Sequence, residues 1–195
     1  MRIVDTPESW PVRESSPKFD GAVVGIRVDT VEFEEQTFDR EVITHPGAVA
    51  ILAMDDDDKV LLVSQYRHAA QHRMMELPAG LLDVHEEAPL AAAQRELREE
   101  GGVEAATWRP LVNYLPSPGI SAERVWVYLA TGLSPVDQLD DFVAEHEEAT
   151  MSRHWVNLEE LVSAVLDGSL HNGLTMLASL AVHSLRTADA TAPME

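Results

Sequence analysis

One run limits this chain more than any other: Arg95-Glu96-Leu97-Arg98-Glu99-Glu100-Gly101-Gly102. The segment from Ala88 to Glu100 is built of Ala, Leu, Gln, Arg and Glu, and the two glycines stop it, so its composition predicts a helix. Leu90, Ala93 and Leu97 fall on one face, while Glu96, Glu99 and Glu100, spaced i, i+3 and i+4, share another. A helix with one apolar face must dock against other elements. The fold therefore has to supply a core on one side of this helix and tolerate an acidic cluster on the other.

The flanking sequence supplies strands. Residues 1–20, spaced by Pro7, Pro11 and Pro17, read as a loosely ordered lead-in. Short β-like runs at Ala22–Val28, Val31–Phe33 and Phe38–Thr44 predict a small antiparallel meander with too few apolar side chains for a core of its own. After the Pro46-Gly47 turn, Ala48–Met54 and Val60–Tyr66 are apolar runs, and Met75–Gly80 reads as a short strand ending in a Pro/Gly loop. Further strands are expected at Thr107–Leu115, Arg124–Ala130 and His154–Val156, with helices from Asn157 to Leu166 and from Leu174 to Leu185. Strands on both sides of a central helix predict a mixed α/β fold in three layers. The expected organisation is an N-terminal lead-in and β lobe over 1–45, a main domain over 46–186 and a flexible tail over 187–195.

Composition removes several functions. With 34 Asp+Glu against 14 Lys+Arg the formal net charge is −20, which repels nucleic acid and anionic lipid. The absence of cysteine excludes disulfides and zinc–thiolate sites. Met1 to Glu8 carry no apolar core of a secretory signal, and no run approaches the roughly 18 apolar residues of a membrane span, so a cytoplasmic protein is expected. Asp55-Asp56-Asp57-Asp58 lacks the alternate ligand spacing and bend glycine of a calcium loop and reads as a hairpin turn.

The acidic helix face is then the place for chemistry. A solvated charged face is the plain alternative, yet this helix is docked, Arg95 stands beside the acids, and a loop bearing Glu87 leads in from Gly80. Clustered carboxylates without Cys or a His pair are hard oxygen ligands suited to Mg²⁺ or Mn²⁺. Such ions complete their shells with water and substrate phosphate, and they let an anionic ester enter an acidic site. The residues alone point to metal-assisted hydrolysis of a phosphate or pyrophosphate.

Gly80, Glu87, Arg95, Glu96, Leu97, Glu99, Glu100, Gly102 and Val103 resemble the Nudix box: Gly, five residues, Glu, seven residues, then Arg-Glu-U-x-Glu-Glu-x-Gly-U, with U aliphatic. Six residues rather than five separate Gly80 from Glu87. Glu86 has the usual first spacing but then stands eight residues from Arg95, and the intact spacing to the helix favours Glu87. The resemblance implies a Nudix-type α/β/α sandwich with a small N-terminal antiparallel β lobe. It also implies that Glu96 and Glu100 ligate Mg²⁺ or Mn²⁺, that Glu99, Glu87 and the Ala79 carbonyl assist, and that Arg95 orients a glutamate.

Outside the box, Gln65-Tyr66-Arg67-His68, Glu76 to Asp83 and Arg40-Glu41-Val42 resemble the ADP-ribose pyrophosphatase subfamily, in particular its actinobacterial dimeric type. Ser117 to Glu123 does so too, with Pro118 fifteen residues past Val103. That resemblance implies a homodimer cleaving ADP-ribose to AMP and ribose 5-phosphate. Arg40 and Arg67 would meet the diphosphate, Glu123 the terminal ribose, and Pro118 would mark the substrate loop. Glu148, with Glu147 next, would be the general base. Phe33, Phe38 and Val24 are candidates for the adenine clamp, and Trp108, Trp126 and Trp155 read as core or interface. Two other functions compete: a Nudix pyrophosphatase for another nucleotide sugar or NADH, and a sensor that binds ADP-ribose without cleaving it. The intact Arg95, Glu96, Glu99 and Glu100 set argues against the sensor.

Overall fold

A computed structural model of the chain describes residues 3–136 and 150–191. The chain divides into two units, residues 1–47 with 115–124, and residues 48–114 with 125–195.

The first unit is a three-stranded antiparallel sheet in the order β1-β2-β3, with β1 at Val12–Asp20, β2 at Gly25–Phe33 and β3 at Gln36–Thr44. Most of the expected loose lead-in is therefore a strand. Its proline is tolerated because β1 is an edge strand, paired only to β2, and the register shifts between Pro17 and Phe19. Little of the sheet is buried: Val12, Phe19, Ile26 and Phe33 are exposed. Its buried polar group is Asp29, which accepts from the Ser15 hydroxyl at 2.6 Å and from Arg27 Nε at 2.9 Å. Trp10 stacks on Phe33 with ring centroids 4.3 Å apart, and the Arg40 guanidinium lies 4.3 Å over the Phe38 ring. The 115–124 segment joins this unit through main-chain bonds: Ile43 N–H donates to the Ile120 carbonyl at 2.8 Å, and Ala122 N–H to the Ile43 carbonyl at 3.4 Å.

The second unit carries two sheets. One has the order β7-β4-β9-β8 and the other β10-β5-β6. Their strands are β4 (Ala48–Ala53), β5 (Lys59–Arg67), β6 (His72–Glu76), β7 (Ala79–Leu81), β8 (Val103–Tyr114), β9 (Val125–Pro135) and β10 (Ser152–Asn157). The helices are α1 (Pro89–Glu96), α2 (Leu158–Leu166) and α3 (Gly173–Thr191). The apolar run of β4 is unbroken because both its faces are covered. Val49, Ile51 and Ala53 pack with Ala92, Ala93 and Leu97 of the first helix, whereas Ala50 and Leu52 pack with Leu161, Val162 and Val182 on the other side. Strand β5 divides likewise, Leu61 to one cluster and Val60 and Leu62 to the other. This is the expected mixed α/β arrangement of helix, sheet and helix.

Several details differ from expectation. The Met75–Gly80 strand is two strands, interrupted at Leu77-Pro78. Leu90 is exposed, and Ala92 takes its place on the buried face. Trp155 is exposed on β10, while Trp108 and Trp126 pack against the core. The helix α3 runs on to Thr191, so the first part of the expected tail is helical. Strand β9 runs on to Pro135, past the expected end at Ala130. The four-aspartate segment is a turn, with Asp55 accepting from the Asp57 and Lys59 N–H groups. Among the described residues no helix is long and apolar enough to cross a membrane.

Candidate active site

The site is assembled where β7 meets the end of the first helix. Chain geometry explains its glycine: a Cβ on Gly80 would fall inside the Glu96 carboxylate, so only a residue without a side chain lets the strand pass this close. One residue earlier, Ala79 N–H donates to Glu100 Oε2 at 2.9 Å. Glu100 is 6% exposed, and a carboxylate buried to that degree has to be matched by donors.

The loop after β7 ends at Pro89, whose missing N–H costs nothing in the first helical turn. From that loop Glu87 reaches Arg95, which takes it in a two-pronged grip, Nε to Oε1 at 3.1 Å and Nη2 to Oε2 at 2.9 Å. The remaining nitrogen, Nη1, donates to Glu96 Oε1 at 2.6 Å and to Glu99 Oε2 at 3.0 Å. One guanidinium therefore gathers three carboxylates, a use for which its planar fork is suited. The bonds from Arg95 hold the Glu87 carboxyl below its ordinary range. The same bonds, with Glu87 first and Glu96 and Glu99 behind it, push Arg95 further up. Glu86, by contrast, points outward at 85% side-chain exposure, with His85 Nδ1 at 4.0 Å.

The helix does not end as an ordinary α-helix. Leu97–Gly101 form a π-helical turn, closed by Gly102 at φ +67°, in the left-handed region where glycine is favoured. Arg153, on β10, reaches this end: its Nε donates to the Glu100 carbonyl at 2.5 Å and its Nη2 to the Glu99 carbonyl at 3.1 Å. Sequence reading missed Arg153. The signal that would have found it is the need of a helix's last carbonyls for donors, set against a chain with few cations.

The other expected residues are placed as follows. Arg67 forks onto Glu76, which is 4% exposed, with its closest bond at 2.7 Å. Arg40, Pro118 and Glu123 belong to the first unit. There Arg40 donates to the Asp39 carbonyl, and Glu123 lies 4.0 Å from His45 Nδ1. Glu147 and Glu148 lie outside the described residues. The structure thus brings together Ala79, Glu87, Arg95, Glu96, Glu99 and Glu100.

Among the described residues no three acidic or imidazole side chains already converge as a cation cage. Three of the acids turn to Arg95 instead. The donor set nevertheless fits a hard divalent ion: every candidate ligand is a carboxylate or a main-chain oxygen, and Gly80 leaves the Glu96 carboxylate room beside the strand.

Comparison with known proteins identifies relatives of the chain. The family model described as NUDIX domain matches residues 44–175. A protein of Mycobacterium tuberculosis named ADP-ribose pyrophosphatase is 46% identical over 168 residues, which is 86% of this chain and 80% of that one. A methanol dehydrogenase activator of Bacillus methanolicus is 34% identical over 161 residues, 82% of this chain and 85% of its own. The crystal structure of an ADP compounds hydrolase superposes with a TM-score of 0.76 at 18% identity, covering 97% of this chain and 100% of that chain. At that identity it speaks for the fold.

Proposed function

The chain belongs to the Nudix family, and from that premise we propose that it hydrolyses the diphosphate of ADP-ribose to AMP and ribose 5-phosphate with Mg²⁺ or Mn²⁺ bound. The observation that carries the reading is the gathering of Glu87, Glu96 and Glu99 on Arg95, beside Glu100 on the Ala79 N–H. The 46% identity to a protein named ADP-ribose pyrophosphatase selects the substrate.

In this reading Glu96 and Glu100 hold the divalent cation, with Glu87, Glu99 and the Ala79 carbonyl supporting. Such an ion lowers the pKa of water and offsets charge on the diphosphate oxygens. Arg95 gathers Glu87, Glu96 and Glu99 against their mutual repulsion, so the ligands stand close together before an ion binds. Arg40 binds diphosphate oxygens, and the fork of Arg67, now on Glu76, is a second contact. Glu123 accepts from the terminal ribose hydroxyls, and Pro118 shapes the loop that carries it. Glu148, with Glu147 next, accepts the proton of the attacking water. The thin first sheet, with its exposed apolar side chains, is the expected dimerisation surface.

A panel of ADP-ribose, other nucleoside diphosphate sugars and NADH, assayed with Mg²⁺, tests the reading through kcat/KM. ADP-ribose is expected to lead. A tenfold preference for another diphosphate overturns the substrate, and tight ADP-ribose binding with no AMP released at any metal concentration overturns the reaction. Sedimentation is expected to give a dimer, and a stable monomer refutes that part.

A further inference from the structure

The contact between β10 and the π-helical turn does more than close a helix. Two consecutive carbonyls, those of Glu99 and Glu100, are gripped by one guanidinium from a strand of the other sheet. Gly102 is part of the same device: a Cβ there would stand 2.5 Å from Arg153 Nη1, so the glycine leaves space for the guanidinium as well as adopting φ +67°. The placement is rigid from below. Strand β10 is in register with β5, Arg153 opposite Val63 and Trp155 opposite Leu61, and a Cβ on Gly101 would stand 3.0 Å from a Leu61 methyl carbon. The strand that carries Arg153 and the strand that supports the turn are thus hydrogen-bonded neighbours.

On the functional reading above, the two gripped residues are among those whose carboxylates serve the metal site, Glu100 as a ligand and Glu99 in support. We infer that Arg153 is a positioning residue for cation binding: by holding the Glu99 and Glu100 carbonyls it sets where both side chains leave the backbone. An arginine suits the task because its fork offers two donors in one plane and its charge matches the negative end of the helix. A lysine offers the charge and a point donor in its place. Groups that orient metal ligands without touching the ion commonly change affinity or activity by about 10–100-fold when removed.

The test uses the full chain and Mn²⁺ itself, with free Mn²⁺ followed by electron paramagnetic resonance and ADP-ribose turnover measured beside it. R153A is expected to weaken Mn²⁺ binding by about tenfold or more. It should lower kcat at limiting metal and leave KM for ADP-ribose at saturating metal nearly unchanged. R153K is expected to fall between R153A and wild type, and it carries the test if the alanine variant does not fold. G102A, which crowds the guanidinium, should move in the same direction as R153A.

A purely structural cap predicts something else: a lower melting temperature without metal, and Mn²⁺ affinity within twofold of wild type in both Arg153 variants. That result overturns the inference while wild-type turnover leaves the functional reading standing. An unaltered chain that neither binds Mn²⁺ nor cleaves ADP-ribose overturns the functional reading, and this inference with it.

Discussion

In the N-terminal sheet one buried carboxylate, Asp29, is matched by a serine hydroxyl and by one arginine. Around the π-helical turn three carboxylates share Arg95, and a fourth, Glu100, rests on a main-chain N–H. The first arrangement is balanced and closed, and it serves to join β1 to β2. The second carries more negative than positive charge at fixed positions. Like charges at helical spacing cost about 0.2–0.5 kcal/mol per pair, a cost that a bound divalent cation would relieve. The burial differs as well. Strands β4 and β5 of the second unit are covered on both faces, while the first sheet leaves Phe19, Ile26 and Phe33 in the open. The acidic cluster therefore sits beside strands whose faces are covered, where side-chain positions can be held, and the proposed function assigns recognition and association to the thin sheet.

Substitutions can break this division or sharpen it. Glu100→Gln keeps an oxygen for the Ala79 N–H but removes a charge. It should lower kcat by about 100- to 1,000-fold, the scale on which one preorganised electrostatic group is lost, with little change in melting temperature. A variant that instead raises KM alone would move the cation site away from the turn. Gly80→Ala forces a methyl group against Glu96 and should cost about 1–3 kcal/mol in urea unfolding, with weaker Mn²⁺ binding. Retention of full stability and affinity would mean that the strand can yield where the packing says it cannot.

On the other side, Arg40→Ala should raise KM for ADP-ribose by about tenfold, as expected for a hydrogen bond to a charged group, and spare kcat. A drop in kcat with unchanged KM would assign Arg40 to the chemistry. The smallest effect is a pH dependence. Hydrogen bonding from Ser15, aided by Arg27, holds the Asp29 carboxyl below its ordinary value. Its folded pKa is depressed, so its stabilisation is present above the unfolded aspartate pKa and is lost as pH falls through the folded one. Hydrogen exchange of the β1 and β2 amides should therefore separate wild type from Asp29→Asn at neutral pH and converge in acid. A gap that persists in acid would show that the Ser15–Asp29–Arg27 group does not tie the strands through charge.

Much of this was readable in residue order. The helix, its stop at Gly101-Gly102, the buried run of β4 and the acidic spacing are local patterns, and local patterns follow from propensity, periodicity and chain geometry. The resemblance to the Nudix box was local too, and the intact spacing to the helix favoured Glu87, the acid that Arg95 holds. Pro17 of β1 misled because proline argues against a central strand but not against an edge, and whether a strand is an edge depends on what pairs beside it. Arg67 is likewise one of few cations in the sequence, and in the fold it is the half-exposed partner of the buried Glu76. The π-helical turn and the reach of Arg153 across 53 residues to the Glu100 carbonyl depend on two sheets being stacked. Spacing along a chain specifies which groups share one helix face; which distant group satisfies the last carbonyls of that helix is decided only when the layers pack.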